Sequence, residues 1–173
     1  MHPSGKIVDG FHFLPPSLGA WIRNTIPDTP FEGPIPWAPL KQPVERTAFA
    51  LVTSAGIRLG SDPSFDMERE KREPTWGDRS YRTIPKDPSR RREIAVDHLH
   101  INPDYILQDI NVMLPIDRMA ELEPEGAIGR LAETHYSFYG FQWGSTEFIE
   151  TAIAPMAVQM AREGVEAALL TPA

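Results

Sequence analysis

Two histidines two residues apart, His98 and His100, an acid and an amide with the same spacing, Asp109 and Asn111, and a further histidine at His135 are the side chains best suited to move protons or hold a ligand. Residues i and i+2 of a strand share a face. Two imidazoles so placed can ligate a divalent metal if a third ligand arrives, or one can act as a general acid or base near neutral pH. Hydrogen-bonded structural histidines are the plainer alternative. Asp109 and Asn111 can orient an amine or tie down backbone. Thr53-Ser54-Ala55-Gly56 follows an apolar run, and its hydroxyls and amides suit a carboxylate or phosphate, although it lacks the spaced glycines and lysine of a phosphate loop. Ser61, Asp62, Ser64 and Asp66 surround Pro63, where turn chemistry and ligand binding are both served. His135, beside Tyr136 and Ser137, is an acid or base candidate, but no Ser, His and Asp spacing identifies a hydrolase.

The elements that must position these groups follow from periodicity. Thr47 to Thr53 is a continuous apolar run, which reads as a buried parallel strand whose loop begins at Ser54. Arg92 to His100 alternates at Ile94 and Val96 and reads as a strand, placing His98 and His100 on one face. Ile110 to Leu114 reads as another short strand, so Asp109 and Asn111 share a face. Pro115 opens a helix through Leu122, a second short helix is expected from Ala127 to Ala132, and His135 to Gly140 reads as a loop or short strand. A last helix from a Ser145 cap carries Ile149, Ile153, Met156 and Met160 on one stripe, with a kink at Pro155; the methionines read as core. Gly164 then stops the helix and Leu169 to Thr171 forms a strand, one half of a βαβ unit. The expected fold is α/β, a mainly parallel sheet with flanking helices, in which ligands sit beyond the carboxyl ends of strands.

Composition narrows the classes. The chain of 173 residues is long enough for one core, with a Pro-rich segment 1–46 wrapping an α/β body at 47–173; its one helix candidate, Pro16 to Thr25, sets Leu18, Trp21, Ile22 and Ile26 on a face. A net charge of -7 argues against nucleic acid as a partner. Met67 to Arg92 departs from this, with nine Lys or Arg against five Asp or Glu, and its prolines and glycine read as a long irregular basic loop, either a solvated surface or an anion-binding or docking loop. There is no cysteine, which excludes disulfides, thiolate metal sites and thiol catalysis by this chain. No apolar run approaches a membrane span and no leader pattern opens the chain, so the expectation is a soluble cytoplasmic protein.

The order of short motifs says more than any one of them. Ala50 to Gly56, Ser61 to Asp66, Gly77 to Arg82, His98 to His100, Asp109 to Val112, His135 to Phe138 and Gly164 to Pro172 together resemble the selenoprotein B-like family of glycine, sarcosine, betaine and D-proline reductases, from Val8-Asp9-Gly10 to Pro172. In that family a strand ending in a Leu-Thr-Pro-like sequence is followed directly by a redox-active selenocysteine or cysteine. The resemblance implies reductive cleavage of a carbon-nitrogen bond of a small amine or amino acid, activated by a separate partner. The ionised chalcogen is the soft nucleophile such an attack needs.

Nothing in this chain replaces that nucleophile, so alone it is expected to lack turnover. Three explanations stand: an in-frame selenocysteine codon after Ala173, a split subunit whose partner or continuation carries the redox centre, or a cysteine-free relative repurposed for binding. By resemblance, His98, His135 and Asp109 are the candidate catalytic groups, with His98 or His135 as proton donor to the leaving amine. Ser54, Asp62, His100 and Asn111 are the candidate substrate contacts, and no metal ligand or resident cofactor is assigned. Two other readings remain: a non-catalytic assembly subunit docking through an unfinished sheet edge, and a metal-assisted hydrolase or lyase using His98, His100 and His135. Self-association is left open.

Overall fold

The computed structural model describes residues 10–25, 37–73, 76–140, 142 and 145–173. The chain divides into two compact units, Met1–Ala38 and Pro39–Ala173. In the first, a 3₁₀ turn (Gly10–Phe13) precedes α1 (Pro16–Thr25), the helix expected there. Proline suits that first position because its missing N–H would be unpaired anyway. The Arg23 guanidinium lies 4.5 Å from the Phe11 ring centroid, fastening helix to turn. Ile26, expected on the apolar face, lies outside the described residues.

The second unit is organised by β1 (Ala48–Thr53). On one side, β7 (Ala167–Thr171) runs parallel to it, pairing Phe49 with Ala167 through to Thr53 with Thr171. On the other side, β5 (Arg130–Leu131) and β6 (Thr134–Phe138) pair in parallel with its first and second halves, as one interrupted strand. A third strand, β3 (Tyr81–Pro85), adds antiparallel to β6. Pro85 sits at the end of this outer strand, where a missing donor is tolerated. A separate antiparallel pair, β2 (Ile57–Leu59) with β4 (Ile94–Val96), stands after the β1 loop.

Alternation along β1 divides the core. Leu51 joins Ile84, Ile106, Ile110, Leu114, Ile116 and Leu131 in one cluster, beneath α3 (Pro103–Gln108) and α4 (Ile116–Leu122). Ala50 and Val52 face the other cluster, with Tyr136, Phe148, Ala152 and Met156. These last come from α5 (Ser145–Phe148), a π-helical turn (Ile149–Ile153) and α6 (Ala154–Arg162). An α/β sheet covered on both faces explains why β1 is apolar throughout. The α6 helix ends as expected at Gly164: Gly164 N–H donates to Ala161 O and Val165 N–H to Met160 O, and Val165 packs in the same cluster as Met160.

Several expectations need correction. The basic stretch is not irregular throughout: Asp66 caps α2 (Met67–Arg72) by accepting Arg69 N–H, and β3 follows. Six consecutive strong helix formers outweigh the charge and proline content around them. Ile110 to Leu114 is not a strand but begins with a 3₁₀ turn, Ile110–Val112. Ala127 to Ala132 is a turn running into β5, since Gly126 and Gly129 break any helix. The strand at Arg92 to His100 shrinks to β4, leaving His98 and His100 in the bend after it. The π turn before Pro155 rotates the last helix, so Phe148, Ala152 and Met156 are buried while Ile149 and Ile153 face outward. The expected Ser145 cap falls on a side chain outside the described set.

One backbone approach ties the two sheets together. Gly56 has φ +64°, its N–H donates to Phe138 O, its carbonyl accepts Asp97 N–H, and a Cβ there would stand 2.1 Å from Asp97 O. Gly56→Ala is therefore expected to lower stability by about 3 kcal/mol. Urea unfolding measures this; a loss below about 1 kcal/mol would mean that the β1–β2 turn relaxes freely.

Candidate functional site

Three parallel strands, β1, β6 and β7, end side by side, and their ends enclose a pocket of about 390 Å³. Val52, Phe138 and Leu170 form its apolar floor; Ser54, Gly140, Thr171 and Pro172 complete its lining. The position is the one open α/β sheets use for ligands. The rim is tied down by side chains: Thr53 donates its hydroxyl to Thr171 O at 2.9 Å, Thr171 donates to Met113 O at 2.6 Å, and Ala173 N–H donates to Ser54 Oγ at 2.8 Å. Ser54 thus keeps its own hydroxyl proton to donate.

His98 stands behind this wall. A Cβ on Gly140 would lie 2.9 Å from both His98 Nε2 and Ser54 O, so only a glycine lets the imidazole and the β1 loop come this close. His98 Nδ1 accepts His100 N–H at 3.1 Å, which leaves the proton of the neutral ring on Nε2. Its ring stacks on Tyr139, centroids 5.5 Å apart and planes 25° apart. Burial, and then the charge of His100, hold the His98 pKa below the ordinary histidine value. The loop that carries it is fixed by Asp97, which is buried and accepts Arg58 Nε at 2.7 Å and Phe65 N–H at 2.9 Å.

His100 is exposed, and its Nε2 lies 3.1 Å from Oε1 of buried Glu70, whose other oxygen accepts the Tyr139 hydroxyl. Ser54, His98 and His100 are thus gathered near the pocket. Glu70, Tyr139 and Gly140, which join them, do not stand out in the sequence. Asp66 followed by helix formers is the one signal that would have placed Glu70 on a helix.

The remaining candidates lie elsewhere and have local partners. Asp62 accepts Leu59 N–H at 3.1 Å and closes the turn after β2. Asp109 accepts both Asn111 N–H and Asn111 Nδ2, which hold its carboxyl below the usual range. Asn111 Oδ1 in turn accepts Asp117 N–H at 2.9 Å, so the pair caps the 3₁₀ turn and α4, not one face of a strand. Among the described residues no three His, Asp or Glu side chains gather as a metal site, and His135 is not brought to the His98 and His100 pair.

His135 is wholly buried and serves β1. Leu51 N–H falls where β5 gives way to β6, and it donates to His135 Nδ1 at 3.1 Å. Burial first, then the charges of Arg91 and Lys86, hold the pKa of His135 down to about 4 from 6.5. Above pH 6.5 folded and unfolded chains both hold it neutral, and its contribution is fully present. As pH falls from 6.5 towards 4 the unfolded chain takes up a proton that the folded chain refuses, and about 3 kcal/mol of stability is lost. Chemical denaturation between pH 7 and 4 is expected to show this slope and His135→Gln to flatten it; an equal slope in the variant would remove His135 as its source.

Comparison with known proteins gives the chain's family. The profile of the glycine/sarcosine/betaine reductase selenoprotein B family matches residues 28–173. A D-proline reductase subunit gamma from Acetoanaerobium sticklandii is 35% identical over 146 residues, 84% of this chain and 55% of the relative. A glycine reductase complex component B subunit gamma from Carboxydothermus hydrogenoformans is 29% identical over 137 residues, 79% of this chain and 30% of the relative. The chain thus spans about half of the first and under a third of the second. No solved structure matches it significantly. With β1, the His98 loop, β6 and β7 all inside the matched region, the chain belongs to the glycine/sarcosine/betaine reductase selenoprotein B family.

Proposed function

We propose that this chain is a cytoplasmic component of a selenoprotein B-type reductase that cleaves a carbon-nitrogen bond of an amino acid or related small amine, its redox nucleophile supplied by residues joined after Ala173 or by a partner subunit. The observation that carries the reading is the pocket where β1, β6 and β7 end, with Ser54 on its rim and His98 behind Gly140. The relatives named for D-proline reductase and for glycine reductase support the substrate class.

The residues present suit an anionic chalcogen at the rim. Ser54 has a proton to donate, the floor of Val52, Phe138 and Leu170 is apolar, and Ala173 is tethered to Ser54, so a residue joined to Ala173 starts at the pocket. A selenolate or thiolate would supply a soft nucleophile for displacing the amine from carbon. In this reading the chain's own groups do the rest. Val52, Phe138 and Leu170 give the reacting carbon an apolar surface, Ser54 orients the substrate, and neutral His98 gives its Nε2 proton to the departing nitrogen. Asp62, Asp109, Asn111 and His135 hold the frame.

A second reading, a docking subunit without chemistry, is favoured by one observation: Leu169 is 39% and Leu170 68% exposed, on opposite faces of β7, which has no strand beyond it among the described residues. Parallel strands are ordinarily covered on both faces and both edges.

Reading the nucleotides after the Ala173 codon tests the proposal. We expect an in-frame UGA or cysteine codon followed by a cysteine-containing βα segment, or an adjacent gene encoding that half. An ordinary stop codon with neither would contradict the reductase reading and leave the docking one.

A further inference from the structure

Helix α2 is charged along its length, Met67-Glu68-Arg69-Glu70-Lys71-Arg72, and its neighbours behave as surface groups: Glu68 pairs with Lys71 and Arg69 with Glu73 in exposed contacts. Glu70 does not. It is only 4% exposed, and both of its oxygens are engaged, one by the Tyr139 hydroxyl and one by His100 Nε2. Withdrawing a carboxylate from water is costly unless both oxygens find partners. Here the partners come from just past the end of β6 and from the bend after β4.

Both partners lead to the same side chain. The Tyr139 ring, with Phe65 at 6.0 Å on one hand, stacks against His98. The His100 N–H occupies His98 Nδ1. The remaining nitrogen, Nε2, stands against Gly140 on the pocket wall and has no hydrogen-bond partner among the described residues. Other charges nearby are already engaged: Asp97 by Arg58, and Arg82, whose guanidinium lies over the Phe65 ring, by the carbonyls of Pro63 and Ser64.

We infer that Glu70 is a positioning residue: through Tyr139 and His100 it fixes the ring plane and the blocked Nδ1 of His98, so that the Nε2 proton is held at the pocket wall. The consequence for catalysis rests on the reading of that pocket as the reaction site. The geometry of the anchor does not, and this lets the two fail separately.

The test is an NMR titration of His98 in this chain, with no substrate present, comparing wild type, Glu70→Ala, Glu70→Gln and Tyr139→Phe. Glutamine can still accept from Tyr139 and donate to His100, so Glu70→Gln is expected to keep the His98 midpoint and the His98–Tyr139 ring contacts of wild type. Glu70→Ala is expected to solvate the ring, raising the midpoint towards the ordinary histidine value and losing those contacts. Tyr139→Phe, which removes only the hydroxyl, is expected to move it in the same direction and serves if Glu70→Ala does not fold. An unmoved midpoint in both Ala and Phe variants, or a Gln variant shifted as far as Ala, would overturn the inference. An inactive reductase with the expected titrations would overturn only the functional reading.

Discussion

The second unit is built on β1 having its backbone satisfied along both edges while both of its faces are buried. On one edge β7 supplies an unbroken parallel ladder; on the other the ladder lapses between β5 and β6. A buried N–H without a partner costs on the order of 1–3 kcal/mol. His135 meets this requirement at Leu51 with a side-chain nitrogen in place of a carbonyl. The substitution works only if the imidazole stays neutral, which its burial and the neighbouring cations ensure. A residue that looks catalytic by type is thereby committed to the sheet.

The same strand fixes the site. Because β6 and β7 both run parallel to β1, their carboxyl ends lie together, and Val52, Phe138 and Leu170, at or one residue before those ends, form one apolar floor from three separate segments of chain. Gly56 then turns the chain so sharply that Asp97 reaches its carbonyl, which sets the His98 bend against β6. Gly140 leaves the space that His98 fills. Hydrogen bonding completes the arrangement, since the buried acid of α2, Glu70, is held by the Tyr139 hydroxyl and His100 Nε2.

What was legible in the sequence follows from how local the signals are. The apolar runs at Thr47–Thr53 and Leu169–Thr171, and the glycine stop at Gly164, depend on burial and on chain geometry within a few residues, and the strands and cap stand where they were expected. From them the location of the pocket also follows, by topology. In Ile110–Val112 only Ile110 is buried, and a turn that buries one apolar residue cannot be separated by periodicity over so few residues from a strand. The charge of Met67–Arg92 hid a capped helix and an outer strand. Most of those charges are internally paired: Arg79 with Glu147, Lys86 with Glu123 at 2.6 Å, Arg91 with Asp117 at 2.6 Å. Pairing of this kind joins residues far apart in sequence. Glu70 and Tyr139, 69 positions apart, are the extreme case. Their meeting belongs to the tertiary fold alone.

The central claim is that the pocket at the ends of β1, β6 and β7 is where a small amine loses its carbon-nitrogen bond. The most direct measurement is carbon-nitrogen bond cleavage, read as amine release from glycine, sarcosine and betaine and as ring opening of D-proline, by this chain assembled with the segment or subunit that carries the redox residue, driven by a dithiol, with wild-type Val52 and with Val52→Phe filling the pocket. The account predicts dithiol-dependent cleavage of one of these substrates, reduced about 100-fold or more by Val52→Phe in a variant that still folds and assembles. Cleavage that is undiminished by the filled pocket, or no cleavage of any of the four by the assembled protein, would contradict it.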